Sequence, residues 1–249
     1  MGNQDMSVCG NRSPIIVALD VPDLRTAQKL VDELHPLVGF FKIGLELFTA
    51  EGLNAIETVK AAGGRVFLDL KYHDIPNTVK RAVMAACSLG VDMLTIHASG
   101  GANMLMAAAE AASLAPHPPI LLGVTVLTSI DAEALYSELK VRVKLEEHVV
   151  HLGKMAMKSG LQGIVASPLE TDRLRHALGN EAIIICPGVR PAWAQRDDQK
   201  RVATPEKALS LGADYVVIGR PITKAHDPRG VTTKILQGIS KYRKEVKDR

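Results

Sequence analysis

Short apolar runs recur along the chain, one in about every 31 residues, and the segments between them carry apolar residues at helical spacing. The runs are nearly continuous and rich in β-branched residues, which is typical of strands buried on both faces. They predict eight strands, over Ile15–Asp20, Phe40–Gly44, Arg65–Lys71, Met93–Ala98, Ile120–Leu127, Gly163–Ser167, Ala182–Val189 and Tyr215–Pro221.

The segments between the strands complete the pattern. Apolar spacing, capping residues and glycine stops predict helices over Leu24–Leu37, Leu45–Ala62, Thr78–Gly90, Ala102–Leu114, Leu139–Ser159, Pro168–Leu178, Thr204–Gly212 and Gly230–Val246. Eight strands, each followed by a helix, predict an α/β protein with the (β/α)8 TIM-barrel fold in a single domain. A doubly wound open sheet is the main alternative, but no G-x-G-x-x-G motif follows the first strand, and eight evenly spaced units favour closure.

Length and composition agree with one domain. Barrels of this class use about 200–250 residues, and the 249-residue chain contains no Pro/Ser-rich linker. We predict a barrel over residues 13–249 and a loose tail over residues 1–12, which lacks the apolar stretch of a signal peptide. No window approaches the roughly 18 apolar residues of a membrane span, so no membrane partner is expected.

Charge and cysteine content narrow the function further. The net charge of +3 comes from 30 basic and 27 acidic residues that are mixed along the chain, so nucleic acid is not an expected partner. Cys9, Cys87 and Cys186 are odd in number and far apart, which argues against a disulfide framework or a zinc site. We therefore expect a cytoplasmic protein.

Polar residues gather where the predicted strands end. In a parallel barrel these ends form one face, and active sites lie there. The polar or strand-end residues at that face are Asp20, Lys42, Asp69, Lys71, His97, Thr128, Ser129, Pro187, Arg190, Gly219 and Arg220. A turn, a cap or a structural ion pair explains any one of them, and a packing role explains His97. Their joint position at one rim indicates a functional site.

The seventh and eighth strand ends predict a phosphate site. Gly219 offers a backbone amide that a phosphate can approach closely, and Arg220 offers a guanidinium that binds phosphate through two hydrogen bonds. The loops after these strands are the usual phosphate site of such barrels. The long polar loop that follows Arg190 contains Gln199, which is available to close over the ligand. A monophosphate ester is thus the expected ligand.

The stretch D-L-K-Y-H-D, from Asp69 to Asp74, carries three of the charges. In a regular strand Asp69 and Lys71 lie on one face, with Cα atoms roughly 6.6 Å apart. Lys42, Asp69, Lys71 and Asp74 then form a row of alternating charge, which favours the ammonium form of each lysine. Such a lysine is a proton donor rather than a Schiff-base nucleophile. Because ammonium groups disfavour a divalent cation and no His/Glu set has ligand spacing, we expect neither a metal nor a cofactor.

D-L-K-Y-H-D-I-P-N-T at residues 69–78 resembles the signature D-x-K-x-x-D-I-P-x-T of the orotidine 5′-monophosphate decarboxylase family, in its bacterial form. Further similar segments appear in that family's order: V-A-L-D at 17–20, F-F-K-I-G at 40–44, P-G-V-R-P at 187–191, D-Q-K-R at 198–201 and G-R-P-I at 219–222. The resemblance implies decarboxylation of orotidine 5′-monophosphate to UMP and carbon dioxide, the last step of de novo UMP synthesis, by a homodimer that needs no cofactor.

The resemblance also implies roles for individual residues. Lys71 would donate a proton to C6 of the pyrimidine, with Asp69 beside the departing carboxylate. Asp74, Ile75 and Thr78 would reach into the active site of the other subunit. The remaining implied contacts are Asp20 and Lys42 with the ribose hydroxyls, Thr128 or Ser129 with the pyrimidine, and Arg190, Gln199, Gly219 and Arg220 with the 5′-phosphate, with Pro187 in the same substrate-binding set.

Two alternatives remain open at this point. Related barrels with D-x-K-x-x-D act on sugar phosphates as synthases or decarboxylases and use magnesium, although Lys42 and the I-P-N-T continuation favour the nucleotide enzyme. A phosphometabolite sensor without catalysis would need the phosphate cluster but not the charged row around Lys71. Dependence on a metal distinguishes the sugar-phosphate enzymes from the nucleotide enzyme. A Lys71→Ala variant that keeps binding but loses turnover distinguishes an enzyme from a sensor.

Overall fold

The computed structural model describes residues 13–194 and 203–247, and within them eight parallel strands form a closed barrel. Each strand pairs with the next one along the chain, and the last pairs with the first. The strands β1–β8 are Ile15–Ala18, Phe40–Ile43, Arg65–Tyr72, Met93–His97, Ile120–Val124, Gly163–Val165, Ile183–Cys186 and Tyr215–Ile218. All eight predicted strands are present, and closure of the barrel is confirmed. The predicted tail over residues 1–12 lies outside the described residues.

Helices connect successive strands. In chain order, α1–α11 are Leu24–Leu34, Leu45–Glu51, Leu53–Ala61, Pro76–Ser88, Ala102–Ser113, Ala132–Ser137, Leu145–Lys158, Thr171–Leu178, Pro205–Ser210, Arg220–Thr223 and Pro228–Lys247. A 3₁₀ turn, Ala98–Gly100, follows β4. Among the residues described, no helix combines the length and the apolar character that crossing a membrane requires.

Two predicted helices differ from the observed ones. The predicted helix Leu45–Ala62 is divided into α2 and α3 at Gly52, whose φ of 58° and ψ of −131° interrupt the helical backbone. The predicted helix Leu139–Ser159 begins only at Leu145, and the separate helix α6 precedes it. The eighth predicted strand is also too long, because the chain turns into the short helix α10 at Arg220.

The core has two layers. The larger cluster of buried apolar residues lies between the strands and the surrounding helices. The smaller cluster takes alternate residues from all eight strands and fills the barrel interior: Ile16, Ala18, Phe40, Phe67, Met93, Leu122, Val124, Val165, Ile185 and Val217. Burial of both strand faces accounts for the nearly continuous apolar runs in the sequence.

The interior layer sets the position of the functional face. Three neighbouring strands place large apolar side chains inside the barrel, namely Phe40, Phe67 and Met93. Two residues further along each strand, Lys42, Asp69 and Thr95 are all buried. Because side chains two apart in a strand share a face, these polar groups stand above the apolar layer, toward the carboxyl ends of the strands.

Candidate active site

A cavity of about 730 Å³ opens at the carboxyl ends of the strands. The residues proposed from the sequence that line it are Asp20, Lys42, Asp69, Lys71, Thr128, Ser129, Pro187, Arg190, Gly219 and Arg220. Glu46 and Lys224 also line it, and the sequence analysis did not single them out. Gln199, the remaining residue proposed for the phosphate, lies outside the described residues. Most of the proposed site residues therefore line one cavity.

On one side of the cavity, four side chains form a continuous row of alternating charge. Lys42 Nζ lies 3.0 Å from Asp20 Oδ1 and 3.5 Å from Asp69 Oδ2. Lys71 Nζ donates a hydrogen bond of 2.9 Å to Asp69 Oδ1. The observed row is therefore Asp20–Lys42–Asp69–Lys71 within one chain. Asp74, which the sequence analysis placed in the row, has no ion pair with it in the described part of this chain.

Burial and charge act in opposite directions on the two central members of the row. Burial alone would lower the pKa of Lys42, but the carboxylates of Asp69 and Asp20 outweigh burial and raise that pKa above its ordinary value. Burial alone would raise the pKa of Asp69, but Lys42 and Lys71, together with a hydrogen bond from Thr95, hold it below its usual range. Both groups are therefore charged at neutral pH.

A buried row of charges is not needed to hold such a barrel together. Removing charged groups from water is costly, and apolar residues of similar volume often give equal or greater stability at such positions. Ion pairs with shifted pKa values inside a cavity are instead more typical of functional sites. The row thus favours a chemical role over a structural one.

The backbone at Lys71 departs from a regular strand. Leu68 of β3 pairs with Leu94 of β4, whereas Tyr72 pairs with Ile96, so the register shifts between these points. Lys71 has a φ of 51°, in the left-handed region that residues other than glycine seldom adopt. Asp69 and Lys71 lie side by side as predicted, but the strand that carries them is not regular. This irregular segment of β3 is a bulge at Lys71.

Gly44 leaves the space that the first ion pair of the row occupies. It lies between β2 and α2 with φ −95° and ψ −174°, which any residue can adopt. A Cβ at this position would lie 2.8 Å from Lys42 Nζ and 2.9 Å from Asp20 Oδ1. Alanine would therefore displace the ammonium or the carboxylate without straining the backbone. No local pattern in the sequence indicates this role, since it depends on a close approach in space.

Two arginines line the same cavity from neighbouring strand ends. Arg190 follows β7 and is only 6% exposed, and Arg220 begins α10 directly after β8. The segment of Arg190 is fixed by a bridge between Val189 and Ala203 and by a hydrogen bond of 3.0 Å from Arg190 N to Ala203 O. Two guanidinium groups at these strand ends suit a phosphate, as expected for such barrels.

Asp74, Ile75 and Thr78 lie apart from this cavity. All three are exposed, and none of them lines it. Asp74 Oδ1 accepts a hydrogen bond of 2.6 Å from Ile75 N, just before α4 begins at Pro76. Ile75 is 66% exposed. This exposed group is adjacent in sequence to Lys71 but not part of its cavity.

His97 takes a position outside the cavity lining. Its ring stacks on that of His73 with centroids 5.2 Å apart, and its Nδ1 lies 2.9 Å from Ser99 Oγ. Burial, together with His73 and Lys71, lowers its pKa. The packing role expected for this residue agrees with these contacts. The strand-4 residue that does join the row is Thr95, which the sequence analysis missed.

The donor set near the row does not resemble a metal site. Over residues 13–194 and 203–247, no group of three or more His, Cys, Asp and Glu side chains is arranged to hold a metal ion. The two carboxylates of the row each have an ammonium group within hydrogen-bonding distance. The row thus offers fixed charges of both signs to the cavity.

Comparison with known proteins decides the family. The model described as the orotidine 5′-phosphate decarboxylase / HUMPS family matches residues 13–235. The chain belongs to this family. The orotidine 5′-phosphate decarboxylase of Moorella thermoacetica is 54% identical over 230 residues, which cover 90% of this chain and 91% of that protein. The protein of the same name from a Nostoc species is 49% identical and covers 91% of this chain and 97% of its own length.

A solved structure of the orotidine 5′-phosphate decarboxylase / HUMPS family agrees with the barrel. The crystal structure of orotidine 5′-phosphate decarboxylase from Lactobacillus acidophilus matches with a TM-score of 0.80 at 38% identity, covering 91% of this chain and 98% of that chain. The resemblance drawn from D-L-K-Y-H-D-I-P-N-T is thus confirmed at the level of the family.

Proposed function

We propose that this protein decarboxylates orotidine 5′-monophosphate to UMP and carbon dioxide, the last step of de novo UMP synthesis. The observation that carries the proposal is the row Asp20–Lys42–Asp69–Lys71 in a cavity that Arg190 and Arg220 also line. The relatives named above, at 49% and 54% identity, support the same reaction.

The charge of the cavity suits this substrate. Among the described residues that line it, Lys42, Lys71, Arg190, Arg220 and Lys224 are cationic, whereas Asp20, Glu46 and Asp69 are anionic. Orotidine 5′-monophosphate carries a carboxylate on its pyrimidine and a phosphate at the far end of its ribose. An excess of cationic groups attracts such an anion and favours its entry. The position of the arginines supports assigning the phosphate to their part of the cavity.

The row supplies what the reaction requires. The bond between C6 and the carboxylate breaks, its electron pair stays on C6, and carbon dioxide leaves. No ring carbonyl is placed to delocalise that pair well, so the protein has to stabilise the carbanion with fixed charge. The ammonium of Lys71 then donates its proton to C6, and the resulting amine regains a proton from solvent. Asp69 orients Lys71 before the transfer through the hydrogen bond of 2.9 Å between them.

The size of this effect is substantial but partial. A fixed ammonium about 4 Å from C6 stabilises the carbanion by roughly 4 kcal/mol at an effective dielectric of 20. Since each 1.36 kcal/mol is about a factor of ten in rate, this is about a thousandfold. The remainder comes from the other preorganised charges and from phosphate binding energy, which is used to assemble the site.

The other proposed contacts are divided among the ribose, the pyrimidine and the phosphate of the substrate. Asp20 and Lys42 hold the ribose hydroxyls, and Thr128 or Ser129 binds the pyrimidine edge. The phosphate contacts are assigned to Arg190, Gln199, Gly219 and Arg220, with Pro187 beside the substrate. Their common support is that all of these residues except Gln199, which is not described, line one cavity.

We further propose a homodimer in which each subunit completes the site of the other. Asp74, Ile75 and Thr78 are exposed and lie outside their own chain's cavity, as residues that serve a partner would. Burial of Ile75 in an interface would account for its exposure in the single chain.

The free thiols of Cys87 and Cys186 suit a reducing cytoplasm.

Turnover in the presence of a chelator tests the reaction. We expect the purified protein to convert orotidine 5′-monophosphate to UMP and carbon dioxide at the same rate with and without EDTA. The rate is measured by the release of carbon dioxide and by the change in pyrimidine absorbance. No turnover of the nucleotide, combined with magnesium-dependent turnover of a sugar phosphate, would place the protein in the other branch of its family.

Gly44→Ala is expected to lower kcat/KM for orotidine 5′-monophosphate by about tenfold to a hundredfold, since ångström-scale displacement of a catalytic group costs about that much. The added methyl group displaces Lys42 or Asp20. Gly153→Ala is the matched control, because its Cβ would meet only apolar side-chain ends of Leu174, Leu178 and Ile164, at 3.2 Å or more. Equal activity of both variants would show that the space at Gly44 is not needed.

A further inference from the structure

One hydroxyl group connects the two most unusual features of the site. Thr95 is fully buried on β4 and does not line the cavity. Its Oγ1 lies 3.0 Å from Asp69 Oδ1 and 2.9 Å from Lys71 N. It therefore contacts both the carboxylate at the centre of the charged row and the backbone of the lysine with a left-handed conformation.

The direction of these hydrogen bonds is determined by their chemistry. The amide of Lys71 has a proton and donates it, so Thr95 Oγ1 accepts there. The hydroxyl has one proton, and the ionised carboxylate of Asp69 only accepts, so the proton of Thr95 is directed to Asp69 Oδ1. The hydroxyl thus performs both roles at once, and neither role is open to an apolar side chain.

The position of Thr95 in the sheet explains why it is required there. The register between β3 and β4 shifts between Leu68 and Tyr72, so the amide of Lys71 is bonded to a side chain of β4. The left-handed backbone of Lys71 costs about 1 kcal/mol or more, and the hydrogen bond from its part-buried amide to Thr95 offsets that cost. Without this hydrogen bond, we expect the backbone at Lys71 to relax and the ammonium group to change position.

We infer that Thr95 is the positioning residue of the active site, which holds the bulge at Lys71 and the carboxylate of Asp69 in one fixed arrangement. It touches neither substrate nor reacting atoms. Its effect passes through Asp69 and Lys71, so it acts on the chemical step more than on binding. The kinetic part of this inference rests on the proposed function.

Thr95→Val tests the inference because valine keeps the shape and burial but has no hydroxyl group. We expect kcat for orotidine 5′-monophosphate to fall by about thirtyfold and KM to change by less than about threefold. Thr95→Ser, which keeps the oxygen, is expected to stay within about threefold of the wild type. If Thr95→Val does not fold, Thr95→Ala carries the same test.

Thr125→Val is the matched control. Thr125 is also a buried threonine, directly after β5, and its hydroxyl donates a hydrogen bond of 3.1 Å to the backbone oxygen of Val165 on β6. We expect kcat of this variant to remain at the wild-type value. A fall in kcat equal to that of Thr95→Val would attribute the effect to loss of any buried hydroxyl and overturn the inference.

A second measurement does not depend on the reaction. Hydrogen exchange of the Lys71 amide, followed by NMR, is expected to be at least about tenfold faster in Thr95→Val and unchanged in Thr95→Ser and Thr125→Val. Unchanged exchange in Thr95→Val would overturn the inference even if the enzyme were impaired. An inactive wild-type protein would instead count against the proposed function, and the exchange experiment would still decide the role of Thr95.

Discussion

Lys71→Ala is expected to lower kcat for orotidine 5′-monophosphate by about 10⁵-fold. The variant loses a general acid, which contributes about 10²–10⁴-fold, and a fixed charge beside the developing carbanion, which contributes about 10²–10³-fold. Alanine supplies neither the proton nor the charge. Single-turnover measurement of carbon dioxide release separates this loss of chemistry from changes in product release.

Binding should survive this substitution. The proposed phosphate contacts, Arg190 and Arg220, follow β7 and β8, and Lys71 is not among them. We expect the affinity for UMP to change by less than about tenfold. Asp69 keeps Lys42 and Thr95 as partners, so the thermal midpoint should change by only a few degrees, which corresponds to about 1 kcal/mol.

The control for Lys71→Ala is Lys60→Ala. Lys60 is an exposed residue whose Nζ donates a hydrogen bond of 2.9 Å to Leu89 O, outside the cavity. This variant should keep the wild-type rate. Turnover by Lys71→Ala within tenfold of the wild type would remove the proton donor from the mechanism, and loss of UMP binding would show that Lys71 mainly binds the ligand.

The strands were predictable because both of their faces are buried. Residues such as Ile16 fill the barrel interior while neighbours such as Val17 contact the helices, so the apolar runs have no polar alternation. The ends of the strands were less predictable for the same reason. Val126 and Leu127 continue the apolar run beyond the end of β5 at Val124, but they line the cavity. Apolar character alone does not separate these two situations.

The charged half of the site was predictable because a charge at the end of a buried strand is costly unless it has a partner or a function. Thr95 was not predicted as a site residue, because threonine is common in strands and its presence there does not indicate a function. Its sequence position does carry a signal. Met93 precedes it by two residues, just as Phe40 precedes Lys42 and Phe67 precedes Asp69.

Other features of the site could be recognised only in the folded structure. The left-handed backbone of Lys71 arises from the register between β3 and β4, which no local pattern in D-L-K-Y-H-D specifies. The space beside Gly44 depends on Lys42 and Asp20, which come together only in the folded barrel. The assignment of Asp74 to a partner came from the family resemblance alone, and it remains a prediction.

Mixing two inactive variants tests that assignment. Lys71→Ala and Asp74→Ala should each be almost inactive alone, yet an equal mixture should recover about a quarter of the wild-type activity. Random exchange makes about half of the dimers mixed. In each mixed dimer one site combines an intact Lys71 with an intact Asp74, and the other site lacks both. The expected recovery is therefore about a thousandfold or more over either parent.

The control mixture pairs Lys71→Ala with Lys42→Ala. Lys42 and Lys71 belong to one row within a single chain, joined through Asp69, so every site of a mixed dimer lacks one of them. This mixture should stay below about one hundredth of the wild-type activity, because residues of the same chain cannot complement each other across an interface. Subunit exchange is verified with differently tagged chains. If exchange occurs and the mixture of Lys71→Ala with Asp74→Ala stays inactive, Asp74 acts within its own chain.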